Sequence, residues 1–386
     1  MNDHGFMGRA LQLAELGMYT TDPNPRVGSV VVRDGRIVGE GTHWRAGEPH
    51  AEIHALRAAG DLARGATVYI TLEPCAHHGR TPPCAEALVA AEVGRVVVAM
   101  QDPNPLVSGR GLERLRAEGI AVEYGVLELE ARALNPGFVR RMETGRPWVR
   151  VKLASSLDGR TAMASGESRW ITGPAARRDV QHWRARASAI LTGSGTVLAD
   201  DPQMTVRLSP AELVADSGTD PARHPQLQDV PERQRLRVVV DSKLQMPLRA
   251  RLLDEGSVLV LTGPARADSD KARDLRGRGA EVLGMPALEE GRLELSPVLD
   301  LLGKRGVNEL HVEAGPGLAG ALARHGLVDE WLFYLAPCLM GSGARPLLDW
   351  PLQHMAERAE LDVFACDWIG DALRLRAYPL PAGTSP

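Results

Sequence analysis

The chain has 386 residues, enough for two or three domains at roughly 150 residues each. A net charge of −4 and 4% aromatic residues provide neither a basic field nor stacking groups for nucleic acid, and no apolar run is long enough to span a bilayer. Four cysteines (Cys75, Cys84, Cys338 and Cys366) argue against a disulfide framework. The first residues lack the basic and apolar regions of a signal peptide, so a reducing cytoplasm is expected.

Residues 6–17 place Phe6, Ala10, Leu13, Ala14 and Gly17 on one stripe, which predicts a core-packing helix. Asp22-Pro23-Asn24-Pro25 ends it with turn chemistry. A β-rich run over 27–32, a turn at Asp34-Gly35 and a second run over 36–41 predict a hairpin. A helix follows over 50–59, with Pro49 suited to its first turn, then a strand over 67–72. Pro82-Pro83 introduces a helix over 84–92. A strand over 95–100, the loop Asp102-Pro103-Asn104-Pro105, a helix over 111–117 and a strand over 120–124 continue the alternation. A helical segment over 128–142 is broken near Asn135-Pro136-Gly137. The pattern suits a three-layer α/β/α sheet.

Within this half, His50, Cys75 and Cys84 are soft-metal ligands, and Glu52 is a carboxylate beside them. Imidazole and thiolate together favour zinc over calcium or magnesium. Three protein ligands leave a fourth position for water, and Glu52 is the natural carrier of that water's proton. Residues two apart do not share a helix face, so His50 and Glu52 meet at one ion only if it lies off the helix's N-terminal end. Cys84 also begins a helix, so two helix starts must converge. A structural zinc completed by His77 or His78 is the main alternative. His50 and His54 have the spacing of a zinc protease, but the glutamate is displaced from its place in that motif. A pair of unligated core cysteines is the third reading, and the flanking prolines and His-x-Glu argue against it.

His50-Ala51-Glu52 followed by Pro74-Cys75 resembles the signature of the zinc-dependent cytidine-deaminase superfamily, which usually ends Cys-x-x-Cys. Here eight residues separate Cys75 from Cys84. That longer insert resembles the deaminase half of the bifunctional deaminase/reductases of riboflavin biosynthesis. The resemblance extends over nearly all of the chain except about 209–233 and the C-terminal tail. It implies a cytidine-deaminase-like domain over 1–146, with zinc on His50, Cys75 and Cys84 and with Glu52 catalytic. Asn24 and His43 would contact the pyrimidine, and His77 and Arg80 its ribose phosphate. Water activated by zinc, its pKa lowered to about 7, would attack an amino-bearing ring carbon. Glu52 would protonate a ring nitrogen and then the departing ammonia.

Thr144-Gly145-Arg146-Pro147 predicts a domain boundary. Strands are predicted over 148–154, 189–192, 236–240, 258–262, 309–312 and 329–335, with an arginine-rich helix over 175–186. These segments, with the loops at 165–174 and 193–202, resemble the reductase half of the same family, which has a dihydrofolate-reductase-like α/β fold, here over 147–378. A glycine-rich loop opens a helix at Gly315, as anion sites do. Its Gly315-x-Gly317-x-x-Gly320 spacing fits the Rossmann expression, but no acidic residue follows about 20 positions on. The resemblance instead implies an NADPH site lined by Ala154, Trp170, Thr196, Asp200, Ser242, Gly315, Pro316, Gly317, Leu318, Ala319, Gly320 and Ala321. Ser168, Arg184, Met204, Arg207 and Glu313 would meet the substrate. Hydride would pass to C1′ of the ring-opened ribose, the cofactor carrying the chemistry. In isolation Arg184 also reads as a solvated helix charge. Lys152, set among apolar strand residues, is read as positioning ribose or cofactor. Residues 209–233 read as a surface insertion, Cys338 and Cys366 as packing residues, and 379–386 as a flexible tail. The expected partners are pyrimidine ribosyl phosphates, with no nucleic acid or membrane, and the resemblance implies a homo-oligomer.

Overall fold

In the computed structural model, which describes residues 1–76, 83–105, 107–216 and 234–381, the chain divides into two units. Unit 1 is Met1–Gly145 with Pro210–Pro231, and unit 2 is Arg146–Ser209 with Glu232–Pro386. Among the described residues, no helix is long and apolar enough to cross a membrane.

Unit 1 is built on five strands: β1 (Gly28–Arg33), β2 (Arg36–Thr42), β3 (Thr67–Ile70), β4 (Arg95–Val98) and β5 (Ala121–Tyr124). Their order is β2-β1-β3-β4-β5. β1 runs antiparallel to both neighbours, and β3, β4 and β5 are parallel. The valine runs of β1 and β4 are buried almost throughout, as central strands covered on both faces must be. Covering them are α1 (Asp3–Glu15), α2 (Ala51–Ala59), α3 (Cys84–Ala90), α4 (Arg110–Ala117), α5 (Glu128–Leu134) and α6 (Pro136–Thr144). A β-carbon at Gly41 would lie 2.0 Å from the carbonyl oxygen of Ala51. Glycine there lets the first turn of α2 rest directly on β2, which sets where His50 stands. Asn135 separates α5 from α6 and brackets the Arg26 backbone, accepting from its N–H at 2.8 Å and donating to its carbonyl at 2.9 Å. That clasp holds the turn carrying Asn24.

Unit 2 contains β6 (Trp148–Ser156), β7 (Arg160–Ala162), β8 (Ala189–Gly193), β9 (Leu236–Val240), β10 (Val258–Thr262), β11 (Ala280–Gly284), β12 (Glu309–Glu313), β13 (Glu330–Ala336), β14 (Arg345–Pro346), β15 (Leu361–Ile369) and β16 (Ala372–Pro379). Nine of them form one sheet in the order β11-β10-β9-β8-β12-β6-β13-β16-β15. It is parallel from β11 to β13 and antiparallel over β16 and β15. Its helices are α7 (Pro174–Arg186), α8 (Ser194–Asp200), α10 (Asp270–Gly277), α11 (Leu295–Lys304) and α12 (Pro316–Arg324). Between α8 and α10 in the chain comes α9 (Pro210–Asp216), which groups with unit 1.

Three expectations change. The insertion is not irregular throughout: α9 buries Leu213 and Val214, and Val214 packs in a small cluster with Trp44 and Leu16. Residues 217–233 lie outside the described residues. Cys338 and Cys366 are exposed, not packed, one in a turn and one on the outer strand β15. Pro379 closes β16 and the Leu380 N–H donates to the Glu360 carbonyl at 2.9 Å, so the chain is paired beyond the expected start of the tail.

Candidate active sites

His50 is the N-cap residue of α2 and Cys84 the first residue of α3, so the two helix starts meet. His50 Nδ1 lies 3.2 Å from Cys84 Sγ and 3.7 Å from Cys75 Sγ, and the three ligand atoms lie within 4.8 Å of one another. Around a tetrahedral zinc, with Zn–S about 2.3 Å and Zn–N about 2.0 Å, neighbouring donors stand roughly 3.5 Å apart. The donor set therefore fits zinc in both chemistry and spacing. The Cys84 N–H also donates to Cys75 Sγ at 3.3 Å, locking the two sulfurs to one backbone geometry. A side-chain hydrogen bond from the Cys84 thiol draws Cys75 down to about 4, and donating that thiol proton pushes Cys84 up. A thiolate is thus favoured even before a cation enters. Glu52 is 3% exposed, and its Oε2 has no hydrogen-bond partner among the described residues. Burial pushes its carboxyl up, with His50 opposing. A carboxyl raised in this way is suited to holding and returning a proton.

His50, Glu52 and Cys75 open onto a cavity of about 550 Å³ whose walls also include Asn24 and His43. His43 Nδ1 stands 3.2 Å from the Pro49 carbonyl oxygen and Nε2 3.0 Å from Asn24 Nδ2. A carbonyl only accepts, so Nδ1 carries the proton and Nε2 accepts from the Asn24 amide. Burial holds the His43 pKa down at about 4, which keeps the ring neutral. His77 and Arg80 lie outside the described residues. Glu73, Asp102, Asn104 and Phe138 also line this cavity, and sequence reading did not assign them to it. One signal was available: Asp-Pro-Asn-Pro occurs at both 22–25 and 102–105, and the two copies stand on the walls of one cavity.

Unit 2 holds a cavity of about 690 Å³. Ala154, Thr196, Asp200, Ser242, Gly315, Pro316, Gly317, Leu318 and Ala321 line it, with Ser168, Glu313 and Lys152. Gly315 caps α12, and the Thr196 hydroxyl accepts its N–H at 3.2 Å. Nothing lies within 4 Å of a β-carbon built on Gly317, so the helix start faces open space. Its first-turn amides have no intrahelical acceptors, as phosphate sites require, and the cavity fits a dinucleotide's anionic centre. Several expected residues lie elsewhere. Ala319 is fully buried, and a β-carbon at Gly320 would meet the Asp349 carbonyl oxygen at 2.3 Å, so that glycine serves chain packing. Trp170 is 70% exposed, with the Arg177 guanidinium 4.3 Å from its ring centre. Met204 is buried. Arg207 is exposed, and its backbone N–H donates to Gln181 at 2.9 Å. Arg184 is not a solvated helix charge: it is buried, and its fork donates to both Glu313 oxygens at 2.5 and 2.9 Å. Burial alone would raise Glu313, but Arg184 and His311 outweigh it and hold the carboxyl well below its usual range. Burial lowers the Lys152 amine, with Glu313 opposing. Ser194, Gly195, Arg292, Arg324 and Arg345 also line the cavity and were missed.

A family model for the RibD C-terminal domain matches residues 147–369, and one for the cytidine and deoxycytidylate deaminase zinc-binding region matches residues 1–100. The riboflavin biosynthesis protein RibD of Escherichia coli (strain K12) is 54% identical over 358 residues, covering 92% of this chain and 94% of that protein. Its Haemophilus influenzae counterpart is 46% identical over 379 residues, covering 97% and 96%. Among solved structures, Acinetobacter baumannii RibD (form 1) has a TM-score of 0.86 at 44% identity, over 98% of this chain and 99% of that one. A diaminohydroxyphosphoribosylaminopyrimidine deaminase/5-amino-6-(5-phosphoribosylamino)uracil reductase from Thermotoga maritima has a TM-score of 0.83 at 33% identity, over the same shares. With identity at this level along nearly the full length of both chains, this chain belongs to the RibD family of riboflavin biosynthesis proteins.

Proposed function

We propose that unit 1 deaminates a diaminohydroxyphosphoribosylaminopyrimidine at the His50, Cys75 and Cys84 centre, and that unit 2 reduces the ribosyl group of the resulting aminouracil to ribityl. The observation that carries this reading is the convergence of two sulfurs on one imidazole nitrogen beside a buried carboxylate with an unpartnered oxygen. Zinc bound there supplies Lewis acidity toward water. Glu52 takes one proton of the attacking water and delivers it to a ring nitrogen. It then takes the second proton, from the hydroxyl now on the ring carbon, and passes it to the amino group, which leaves as ammonia as the carbonyl forms. Asn24, held by neutral His43, orients the pyrimidine. His77 and Arg80 are assigned to the ribose phosphate by family resemblance. In unit 2, bound NADPH would supply the hydride that C1′ accepts. Gly315, Gly317 and Leu318 would hold its phosphates, Thr196, Asp200 and Ser242 would flank them, and Lys152 and Glu313 would orient the ribose. Arg184 acts on Glu313, fixing the carboxylate's position, and its role toward substrate is indirect.

Glu52→Gln tests the deaminase reading. Ammonia release should fall at least a hundredfold, the low end for loss of a general acid–base group, while zinc per chain stays at the wild-type value. Undiminished ammonia release would sink it. We further propose a homo-oligomer in a reducing cytoplasm. Four free cysteines suit that compartment, and the outer strand β15 presents Val363, Phe364 and Trp368 to solvent, an edge suited to a second copy.

A further inference from the structure

Glu73, two residues before Cys75, is 4% exposed, and its carboxylate is surrounded by backbone amides. Oε2 accepts from the N–H groups of Asp102 at 3.1 Å and Gly109 at 2.9 Å. Oε1 accepts from those of Gly111 at 2.8 Å and Leu112 at 3.4 Å. Gly109 is the N-cap residue of α4 and offers no side chain, so Glu73 caps that helix from a distant segment. The fit is close: a β-carbon at Gly111 would stand 2.0 Å from the Pro74 carbonyl oxygen and 3.2 Å from Glu73 Cγ. Glu73 is anchored in turn, its own N–H donating to the Met100 carbonyl at 3.0 Å. One carboxylate therefore ties both ends of the 102–112 segment to the chain that carries Cys75. The clamped segment supplies Asp102, Asn104 and Val107 to the cavity wall. Asp102 Oδ1 accepts the Asn104 N–H at 2.8 Å, so holding Asp102 also sets Asn104.

We propose that Glu73 is a positioning residue of the deaminase: by gathering the Asp102–Leu112 amides it holds the wall that faces the substrate, and so governs substrate affinity more than the rate of chemistry. This rests on the assignment of deamination to the unit 1 cavity. The metal donors do not need the clamp, because Cys75 Sγ is held independently by the Cys84 N–H and lies beside His50. Turning one oxygen into an NH₂ sets a donor against backbone donors, so two of the four bonds are lost and the segment is released.

The test is steady-state deamination by full-length Glu73→Gln, with zinc per chain and unit 2 reductase activity measured on the same preparation. KM for the pyrimidine should rise about tenfold or more, equivalent to about 1.4 kcal/mol. kcat should change less than threefold, with zinc and reduction at wild-type values. Glu73→Asp, which keeps the charge on a shorter arm, should give a smaller rise. It carries the test alone if Glu73→Gln is insoluble. A lowered melting temperature with unchanged KM would make Glu73 merely structural and overturn the proposal. Loss of zinc with collapsed kcat at unchanged KM would also overturn it, by placing the effect on the metal centre. Glu52→Gln, run alongside, tests the assignment of the cavity itself, so the two readings can fail separately.

Discussion

The ring at position 43 has one tautomer compatible with its neighbours, and that choice aims a second side chain. The Pro49 carbonyl accepts from the Nδ1 N–H, Nε2 is left to accept, and Asn24 must turn its NH₂ toward the ring. The Asn24 carbonyl oxygen then faces away from His43. His43→Phe keeps a ring of similar size but removes the acceptor, so Asn24 loses its orientation. The expected result is a rise of about tenfold in KM for the pyrimidine, since a net hydrogen bond is worth about 1 kcal/mol and a misaimed amide adds a desolvation cost. An unchanged KM would remove His43 from substrate recognition. Lys152→Met should reduce NADPH oxidation on the aminouracil by about a hundredfold and leave ammonia release alone, because its amine shares the unit 2 cavity with Glu313 and a misplaced ribose costs on that order. Sequence reading finds such residues when the chemistry is local. A lysine among strand valines and a His-x-Glu are visible as oddities. Glu73 was not visible as a clamp, because its four partners lie about thirty to forty positions downstream, and backbone amides leave no compositional trace.

Between elements, Arg150 on β6 shows what holds the unit 2 sheet to α7. It is fully buried, with Glu309 of β12 at 3.0 Å and Glu330 of β13 at 2.8 Å. Arg376 of β16 binds the other Glu330 oxygen at 2.8 Å, and both guanidinium groups lie over the Trp183 ring of α7. Burial would raise Glu330, but Arg150 and Arg376 outweigh it and bring its pKa to about 2, against an ordinary value of 4.5. A depressed carboxylate contributes its stability above the unfolded pKa and loses it as pH falls through the folded one. Unit 2 should therefore lose melting temperature between about pH 4.5 and pH 2, by an amount equivalent to on the order of 3 kcal/mol. Glu330→Gln should be less stable at neutral pH and show a flatter acid slope, read by thermal denaturation across that range. An identical slope in the variant would dismiss the network as the cause. Single charged residues inside apolar strands hint at such a network, but the register that sets Glu330 opposite Arg150 is tertiary. Element detection shows the same divide. β9 and β10 read directly from their valine and leucine runs. α11, with Leu295, Val298, Leu299 and Leu302 buried at helical spacing, carried a legible stripe that the reading passed over. β15 had no usable alternation, because most of its side chains are exposed, and only its pairing with β16 identifies it.

For the molecule as a whole, the divided membership of unit 1 has a measurable consequence. The reading placed a boundary at 144–147 and treated the later insertion as surface. The chain, however, leaves unit 2 after Ser209 to contribute α9 to unit 1. Val214 is 2% exposed and clusters with Trp44, which immediately follows His43. Nothing local in Pro210–Asp216 reveals this, since a seven-residue helix with two apolar side chains is ordinary surface in sequence terms. Fully burying a side chain such as valine or leucine is worth about 1.5–3 kcal/mol, and a carboxylate placed there would add an uncompensated charge. In the full chain, Val214→Asp should therefore lower the melting of unit 1 by about 5 °C or more. NADPH-dependent reduction should keep its wild-type rate. Ammonia release should become heat-labile over the same interval, because the packing lost lies next to the residue that aims Asn24. Deaminase melting equal to wild type in Val214→Asp would return the helix to the surface role the sequence suggested. A parallel loss of reduction would show that α9 supports unit 2 instead.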